Sequence, residues 1–425
     1  MPRGSFLAVA ALSLLAACGM LHVKEQQAKL DALCRVSGTV DAERKAAAPL
    51  VVVLVRQVGA DAALRQSWQL ADHYVLEGPG RWGFAVSAGS YGLISFQDLN
   101  GDLKLQQDEP YLSLAATPRV ACAAGESRAD IALRIPASGR GPFSETMDVA
   151  ALQVRSLSDQ FALSLTQVTA VGEIASLRDA RFADAVAEAG LWRPYDFLFK
   201  GRPGIYMLQP YDAAKIPVLF VHGINGSPAN FARLIERLDA QRYQPWVYYY
   251  PSGASLAHVA DHLAQTMRKL EVRHDFTRFV VVAHSMGGLV ARGFLQRYRA
   301  QGGASVPLFV SIATPWDGHK AAQTGVKTAP AVVRVWIDMS PGSDYLTSLY
   351  ATDLDVPHYL FFAFRQGGVS LGEADDGVVT LASQLRPVAQ ARAARVEGFN
   401  ETHRDVLDSQ DLASRLGALL AERVR

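Results

Sequence analysis

The pattern of apolar and polar positions divides the chain into two parts. Between residues 34 and 136, short apolar runs alternate with turns rich in glycine, which is typical of an all-β domain. After residue 200, apolar runs of strand length are followed by segments with helical periodicity, which predicts a mostly parallel sheet flanked by helices. The predicted strands of the first part cover residues 36–40, 50–55, 82–86, 91–96 and 131–135.

The sharpest change of pattern surrounds Ser285. The apolar run 279–282 predicts a buried strand that ends at Ala283-His284-Ser285, and a helical pattern begins by Leu289. A serine at the apex of a strained turn between strand and helix needs small residues two positions away on each side. Ala283 and Gly287 occupy those positions, so the pattern predicts a nucleophilic serine. An ordinary serine in a buried turn is the alternative.

Several further motifs carry a family resemblance. Val-His-Gly-Ile-Asn-Gly (221–226), Ala-His-Ser-Met-Gly-Gly (283–288), Ala-Thr-Pro-Trp (313–316), Asp-Gly-Val-Val (376–379) and a late histidine occur in this order. From about residue 200 the chain resembles the α/β-hydrolase superfamily, in particular bacterial lipases and esterases. The resemblance implies that the backbone N–H groups of Ile224 and Met286 hold an oxyanion. It also implies that His222 stabilises the conformation of its own loop and is not the base.

The same resemblance orders the reactive groups as serine, acid and histidine. The aspartate directly before a glycine is expected to be the acid, which selects Asp376 over Asp375. His403 follows the predicted strand 394–399, at the edge where open α/β sheets place their functional loops. His403 is therefore preferred over His319 and His358 as the base. Solvated turn carboxylates and a surface histidine are the alternatives.

The amino terminus predicts a location. Arg3 is followed by an apolar segment, 6–17, that is too short to span a membrane and ends in Leu-Ala-Ala-Cys18-Gly. This end resembles a bacterial lipobox, which implies that Cys18 is acylated and becomes the first mature residue. Gly19 resembles the residue found in lipoproteins sent to the outer membrane. A plain signal peptide with a chance cysteine is the alternative.

The other two cysteines, Cys34 and Cys122, bracket the predicted β domain. A cell-envelope compartment permits disulfides, so we expect these two to pair. Two free buried thiols are the alternative.

Composition excludes several classes of function. The formal net charge of +1 and the lack of a basic stripe give no reason to expect nucleic acid. The sequence shows no zinc-type Cys/His spacing, Walker loop or dinucleotide fingerprint, so we expect neither cofactor nor metal. One segment, 98–109, places oxygen ligands at calcium-loop positions, but Leu103 replaces the required glycine, which favours a polar turn.

The predicted organisation follows from these patterns. We expect a signal peptide, a tether, a β-sandwich domain that weakly resembles transthyretin-like modules, a helical connector and a hydrolase domain, at 1–17, 18–33, 34–136, 137–200 and 201–425. The forty residues between Trp316 and His358 are too long for a simple connection and predict a cap. A helix is predicted within it, from about 328 to 341, as either a buried core helix or part of an acyl pocket.

These expectations imply a lipid-anchored serine hydrolase acting on carboxylic esters with an acyl chain. An acyltransferase or thioesterase with the same three residues is the nearest alternative. A surface binding protein that keeps the hydrolase shell without activity is the third.

Overall fold

A computed structural model describes residues 22–58, 67–137, 147–148, 168–300, 302–365 and 374–424. The predicted signal peptide and the acylation site Cys18 lie outside the described residues. The described part consists of an N-terminal β-sandwich and a C-terminal α/β domain.

The sandwich is built from two sheets that share one core. One sheet has the strand order β4-β1-β9 and the other has the order β3-β2-β5-β7, with β8 paired to β5. Alternate residues of β1 and β2, such as Val36 and Val52, point into the core between the sheets. The strands are β1 Cys34–Ala42, β2 Leu50–Val58, β3 Ser67–Leu76, β4 Gly80–Val86, β5 Gly89–Gln97, β6 Lys104–Leu105, β7 Tyr111–Leu112, β8 Val120–Cys122, β9 Ser127–Ile135 and β10 Met147–Asp148.

A disulfide joins the two sheets. Cys34 begins β1 and Cys122 ends β8, and the bonded residues have their Cα atoms 6.0 Å apart. The predicted pairing is therefore present. Because the bond closes a loop of 88 residues, its chain-entropy contribution to stability is about 4–5 kcal/mol.

The second sheet is apolar on both faces because its outer face is also covered. Val51 and Val53 of β2 belong to a second cluster that packs against Val272 of the C-terminal α/β domain. Beside this cluster, the fully buried guanidinium of Arg268 forms ion pairs with Glu77 of the sandwich and Glu271 of its own helix. The two domains thus share a packed interface with an ionic bond inside it.

The segment 98–109 forms the polar turn that the sequence favours. Asp98 accepts hydrogen bonds from the backbone N–H groups of Gly101 and Leu103, both at 2.9 Å. Glu109 accepts from those of Leu99 and Gln106 at 2.7 and 3.1 Å. Both carboxylates therefore bind main chain. Within the described residues, no cluster of three or more His, Cys, Asp or Glu side chains could hold a metal ion.

The α/β domain contains an eight-stranded sheet with the order β11-β12-β14-β13-β15-β16-β17-β18. Its strands pair in parallel except for β12 with β14. The strands are β11 Ala170–Ile174, β12 Gly204–Met207, β13 Ile216–Val221, β14 Tyr243–Tyr249, β15 Val280–His284, β16 Phe309–Ile312, β17 His358–Phe364 and β18 Arg395–Asn400. From β13 the chain first moves to β14 on one side and then crosses to β15 on the other. This reversal opens a crevice at the carboxyl ends of β13 and β15.

Helices cover both faces of this sheet. Residues 22–31 form helix α1, and the later helices are α2 Asp184–Trp192, α3 Pro194–Lys200, α4 Ala232–Glu236, α5 Leu256–His274, α6 Met286–Ala300, α7 Lys320–Thr328, α8 Arg334–Asp338, α9 Asp344–Ser348, α10 Leu381–Gln384, α11 Pro387–Ala391 and α12 Gln410–Arg423. The helical spacing of Leu256, Val259 and Leu263 places these side chains against the sheet, as predicted. None of the helices within the described residues is long and apolar enough to cross a bilayer.

Two segments differ from the sequence expectation. The stretch 137–200, predicted as a helical connector, supplies helices α2 and α3 but also β11, the edge strand of the main sheet. Residues 22–31, predicted as part of a tether, form α1, whose Val23 is buried in the core of the hydrolase domain.

The segment between β16 and β17, which we call the cap after its prediction, contains three short helices, α7 to α9. The single helix predicted from 328 to 341 is wrong, because helical structure there is confined to Arg334–Asp338. Val333 precedes it in extended conformation, which suits a β-branched residue, and the Val332 carbonyl accepts a hydrogen bond from Gln27 of α1. The cap is thus shaped by contacts distant in sequence.

Candidate active site

The turn after β15 holds Ser285 in a strained conformation. Ser285 has φ of +55°, in the left-handed region that non-glycine residues rarely adopt. Small neighbours make the turn possible, because a Cβ on Gly287 would collide with the Val221 carbonyl and one on Gly223 would lie 2.8 Å from the Ser285 Cβ. The serine hydroxyl therefore sits beside the loop that follows β13, at the N-terminus of α6.

The loop after β13 presents an available N–H group. Asn225 donates its N–H to Ser252 Oγ at 3.0 Å, and Gly226 donates to the Gly223 carbonyl at 3.2 Å. The N–H of Ile224, directly before Asn225, has no protein acceptor among the described residues. Met286 is the first residue of α6, so its N–H has no partner in a preceding helical turn. Both groups are suited to bind a ligand oxygen.

Ser285, His403 and Asp376 form a continuous hydrogen-bonded line. Ser285 Oγ lies 2.9 Å from His403 Nε2, and His403 Nδ1 lies 2.6 Å from Asp376 Oδ2. An ionised carboxylate can only accept, so Nδ1 carries the imidazole proton and Nε2 accepts from the serine hydroxyl. The three residues are only 5 %, 6 % and 0 % exposed. The structure therefore brings together the three residues selected from the sequence.

The aspartate is held by the backbone that follows it. Asp376 Oδ1 accepts hydrogen bonds from the N–H groups of Val378 and Val379 at 2.9 and 2.7 Å. The His403 N–H also donates to the Asp376 carbonyl at 2.9 Å. Asp375 instead pairs with the guanidinium of Arg365 at 3.2 Å at the surface. The geometry thus distinguishes the two neighbouring aspartates.

Gln384 is a part of the site that the sequence analysis missed. Its amide nitrogen lies 3.1 Å from Asp376 Oδ2, and its amide groups also bond the N–H and carbonyl of Ala363 at the end of β17. The residue is fully buried at the end of α10, a helix of four residues. A helix this short has no periodicity that could have identified it.

Two buried histidines support the neighbouring loops in their neutral form. His284 Nε2 donates to the His403 carbonyl at 2.8 Å, and burial lowers the pKa of His284 to about 3. His222 stacks on Tyr250 and donates from Nδ1 to the Gly223 carbonyl, and burial lowers its pKa to about 4. His222 therefore contacts its own loop, as expected, and does not bond Ser285.

The rejected histidines lie away from the serine. His358 bonds Ser311 Oγ at 2.8 Å within the sheet, and burial lowers its pKa to about 3. His319 bonds the Val378 carbonyl at 2.7 Å at the surface.

A family model matches part of the C-terminal domain and agrees with its fold. Residues 216–332 match the model described as the alpha/beta hydrolase fold, which spans the loop after β13, the Ser285 turn and the start of the cap. The C-terminal domain is an α/β-hydrolase fold, and its lipase- and esterase-like character was expected from the sequence motifs. A comparison with curated protein sequences finds no match.

Solved structures similar to this chain include enzymes named as lipases and an esterase. The mature lipase BlEst2 of Bacillus licheniformis is 16 % identical with a TM-score of 0.40, covering 51 % of this chain and 95 % of its own. Aspergillus fumigatus lipase B is 15 % identical with a TM-score of 0.40, covering 52 % and 56 %. A thermophilic esterase from Thermogutta terrifontis is 14 % identical with a TM-score of 0.36, covering 50 % and 92 %.

Proposed function

We propose that the protein is a serine hydrolase that cleaves carboxylic esters carrying an acyl chain. The observation that carries this proposal is the line from Ser285 Oγ through His403 to the buried carboxylate of Asp376. In this arrangement the imidazole is already in the tautomer that accepts the serine proton. A serine and a histidine without the buried acid would lack that orientation.

The chemistry follows from the proton positions. His403 Nε2 takes the hydroxyl proton as Ser285 Oγ attacks the ester carbonyl, and the N–H groups of Ile224 and Met286 stabilise the oxyanion. Each such donor is worth on the order of 3 kcal/mol of barrier. The tetrahedral intermediate collapses, the alcohol leaves with the proton from His403, and an acyl-enzyme remains. Water deprotonated by His403 then attacks the acyl-enzyme, and the carboxylic acid is released as His403 returns the proton to Ser285 Oγ.

We propose further that the protein is held at the bacterial cell envelope, at the outer membrane, through acylation of Cys18. The lipobox-like sequence before Cys18 supports this placement. Several acyl chains on one residue would make such an anchor stable. An ester of a long acyl chain would then be available in the same membrane.

A fluorophosphonate probe tests the nucleophile directly. The wild-type protein should become labelled and lose hydrolysis of nitrophenyl acetate in proportion to labelling. Ser285→Ala should block both labelling and hydrolysis with little change in melting temperature, because such a loss costs several orders of magnitude in rate. Activity of Ser285→Ala within tenfold of wild type would overturn the assignment.

The acceptor of the acyl group is tested in the same assay. A second alcohol or a thiol is added as a competing acceptor of the acyl group. If the protein is a hydrolase, carboxylic acid should still form as fast as the alcohol of the ester is released. Accumulation of a new ester or thioester at the expense of acid would instead assign acyl transfer to the same three residues.

A further inference from the structure

Five apolar side chains of α2, α3 and α8 are not fully buried, and α3 and α8 both form hydrogen bonds with α1. Trp192, Tyr195 and Phe199 of α2 and α3 are half-buried, as is Trp336 of α8, and Ile337 beside it is 45 % exposed. We call these five residues the anchor-side surface. Trp192 and Trp336 meet with ring centroids 5.9 Å apart, so α8 and α2 form one continuous part of it.

Helix α1 is fixed to the same place. Gln26 exchanges two hydrogen bonds with Asp196 of α3, at 3.1 and 3.0 Å. Gln27 bonds the Val332 carbonyl at 2.6 Å, directly before α8. Val23 is 1 % exposed and packs in the hydrolase core. The start of α1 is therefore attached to the hydrolase domain and does not move independently of it.

The covalent distance to the acylation site is short. Three residues separate Cys18 from His22, so a fully extended chain places the two Cα atoms at most roughly 14 Å apart. An acyl chain on Cys18 enters the membrane at the point where this residue lies. The end of the hydrolase domain that holds the start of α1 must therefore be close to that membrane.

We propose that the anchor-side surface rests on the lipid bilayer that holds the acylated Cys18. The inference rests on the hydrolase activity and the anchor proposed above. Tryptophan and tyrosine are suited to the boundary between lipid and water because each joins an apolar ring to a polar group. Ile337 gains burial there that the protein itself does not provide.

This orientation connects the membrane with the reactive serine. Helix α8 carries Trp336 and Ile337, and its Val335 N–H donates to the Gly253 carbonyl at 3.3 Å. The adjacent Ser252 Oγ accepts from the N–H of Asn225, in the loop next to Ser285. A membrane ester that leaves the bilayer beside α8 therefore meets a part of the cap that is joined to that loop through residues 252–253. The substrate class that fits is an acyl ester drawn from the membrane.

A single labelled thiol tests the orientation. With Cys18 acylated and the other two cysteines paired, Ile337→Cys provides one reactive thiol for a nitrobenzoxadiazole label. Val396→Cys is the matched control, since Val396 is 36 % exposed on β18, at the sheet edge opposite β11. The lipidated proteins are reconstituted in vesicles of phosphatidylethanolamine and phosphatidylglycerol that contain doxyl-labelled lipid.

Label at position 337 should be quenched at least about twofold more than label at position 396. Equal quenching, or none at 337, would overturn the orientation. Hydrolysis of water-soluble nitrophenyl acetate is measured on the same samples. If the protein hydrolyses nitrophenyl acetate but label at 337 is not quenched, only the proposed membrane contact is wrong. If label at 337 is quenched but wild type does not hydrolyse nitrophenyl acetate, only the hydrolase assignment is wrong.

A rate measurement provides an independent test. Ile337→Glu should lower hydrolysis of a vesicle-embedded acyl ester roughly fivefold, because a charge replaces an apolar contact with lipid. Hydrolysis of nitrophenyl acetate should stay unchanged, and Val396→Glu should leave both rates unchanged. A parallel fall on both substrates would contradict a membrane contact at this residue.

Discussion

The side-chain amide of Gln384 lies 3.1 Å from Asp376 Oδ2, the same oxygen that His403 Nδ1 contacts at 2.6 Å. The carboxylate is thus held by one side-chain amide in addition to the two backbone N–H groups on its other oxygen. Gln384 does not touch the serine, so any effect on the reaction passes through Asp376. We regard it as a positioning residue.

Replacement of this amide should alter the pH profile. In Gln384→Met, Asp376 Oδ2 loses a hydrogen-bond donor, so its negative charge acts more strongly on the imidazolium of His403 and the acidic limb of kcat/KM should move to higher pH by about half a unit. Gln384→Met should lower kcat roughly tenfold through loss of a hydrogen bond to a charged group. Hydrolysis of nitrophenyl acetate across pH 5–9 gives both values. Gln390→Met, at an exposed site, is the control, and an unchanged pH profile in Gln384→Met would remove the positioning role.

The two neighbouring aspartates should differ sharply. Asp376→Asn removes the charge that orients His403 and should lower kcat by about four orders of magnitude. Asp375→Asn only loses an exposed ion pair with Arg365 and should change kcat less than about threefold. Steady-state kinetics on a soluble ester measure both. If Asp375→Asn were the more damaging change, the acid would have to be moved by one residue.

Burial of neutral histidines should make the fold sensitive to acid. The pKa of His222 and His262 is lowered to about 4, and that of His284 and His358 to about 3, in each case chiefly by burial. In the unfolded chain these histidines bind protons below their ordinary pKa of 6.5, whereas in the folded chain they stay neutral at that pH. The contribution of the neutral histidines to the free energy of unfolding is therefore complete above pH 6.5. It is lost as the pH falls toward 4, by about 1.4 kcal/mol per pH unit for each histidine.

His358→Gln offers a direct measurement of this linkage, because the residue lies in β17 away from the serine. The free energy of unfolding is measured with urea at pH 6.5, 5.5 and 4.5. Its slope against pH should be smaller in the variant than in wild type by the effect of one proton, about 1.4 kcal/mol per pH unit. An unchanged slope would show that His358 is not a source of the acid sensitivity.

Removal of the disulfide should weaken the sandwich without abolishing the reaction. The double variant Cys34→Ser, Cys122→Ser loses about 4–5 kcal/mol of loop constraint and should melt at lower temperature. Its hydrolysis of soluble esters at 25 °C should remain near wild type, since both cysteines lie outside the α/β domain. A reducing agent should lower the melting temperature of wild type and leave that of the double variant unchanged. Equal sensitivity of both proteins to the reductant would contradict this account.

The sequence predicted what depends on local chemistry. The turn at Ser285 was identified from the small residues that its conformation needs, and Asp376 and His403 from motif and chain order. Gln384, in contrast, acts through partners on β17 and in the loop after Asp376, which no local pattern reveals. The prediction of a helix from 328 to 341 is wrong for the same reason. The Val332 carbonyl accepts a hydrogen bond from Gln27, which lies 305 residues earlier in the sequence.

The hydrogen bond from His284 to the main chain of His403 has a consequence for how a fold of this kind can diversify. It ties the loop of the base directly to the strand that ends at the nucleophile, within the sheet and independently of the cap. This bond does not involve residues 320–357, so they can be rearranged while it continues to hold His403 beside the turn of Ser285. In such a molecule, substitutions that alter which substrate is bound can arise without substitutions that alter the reaction.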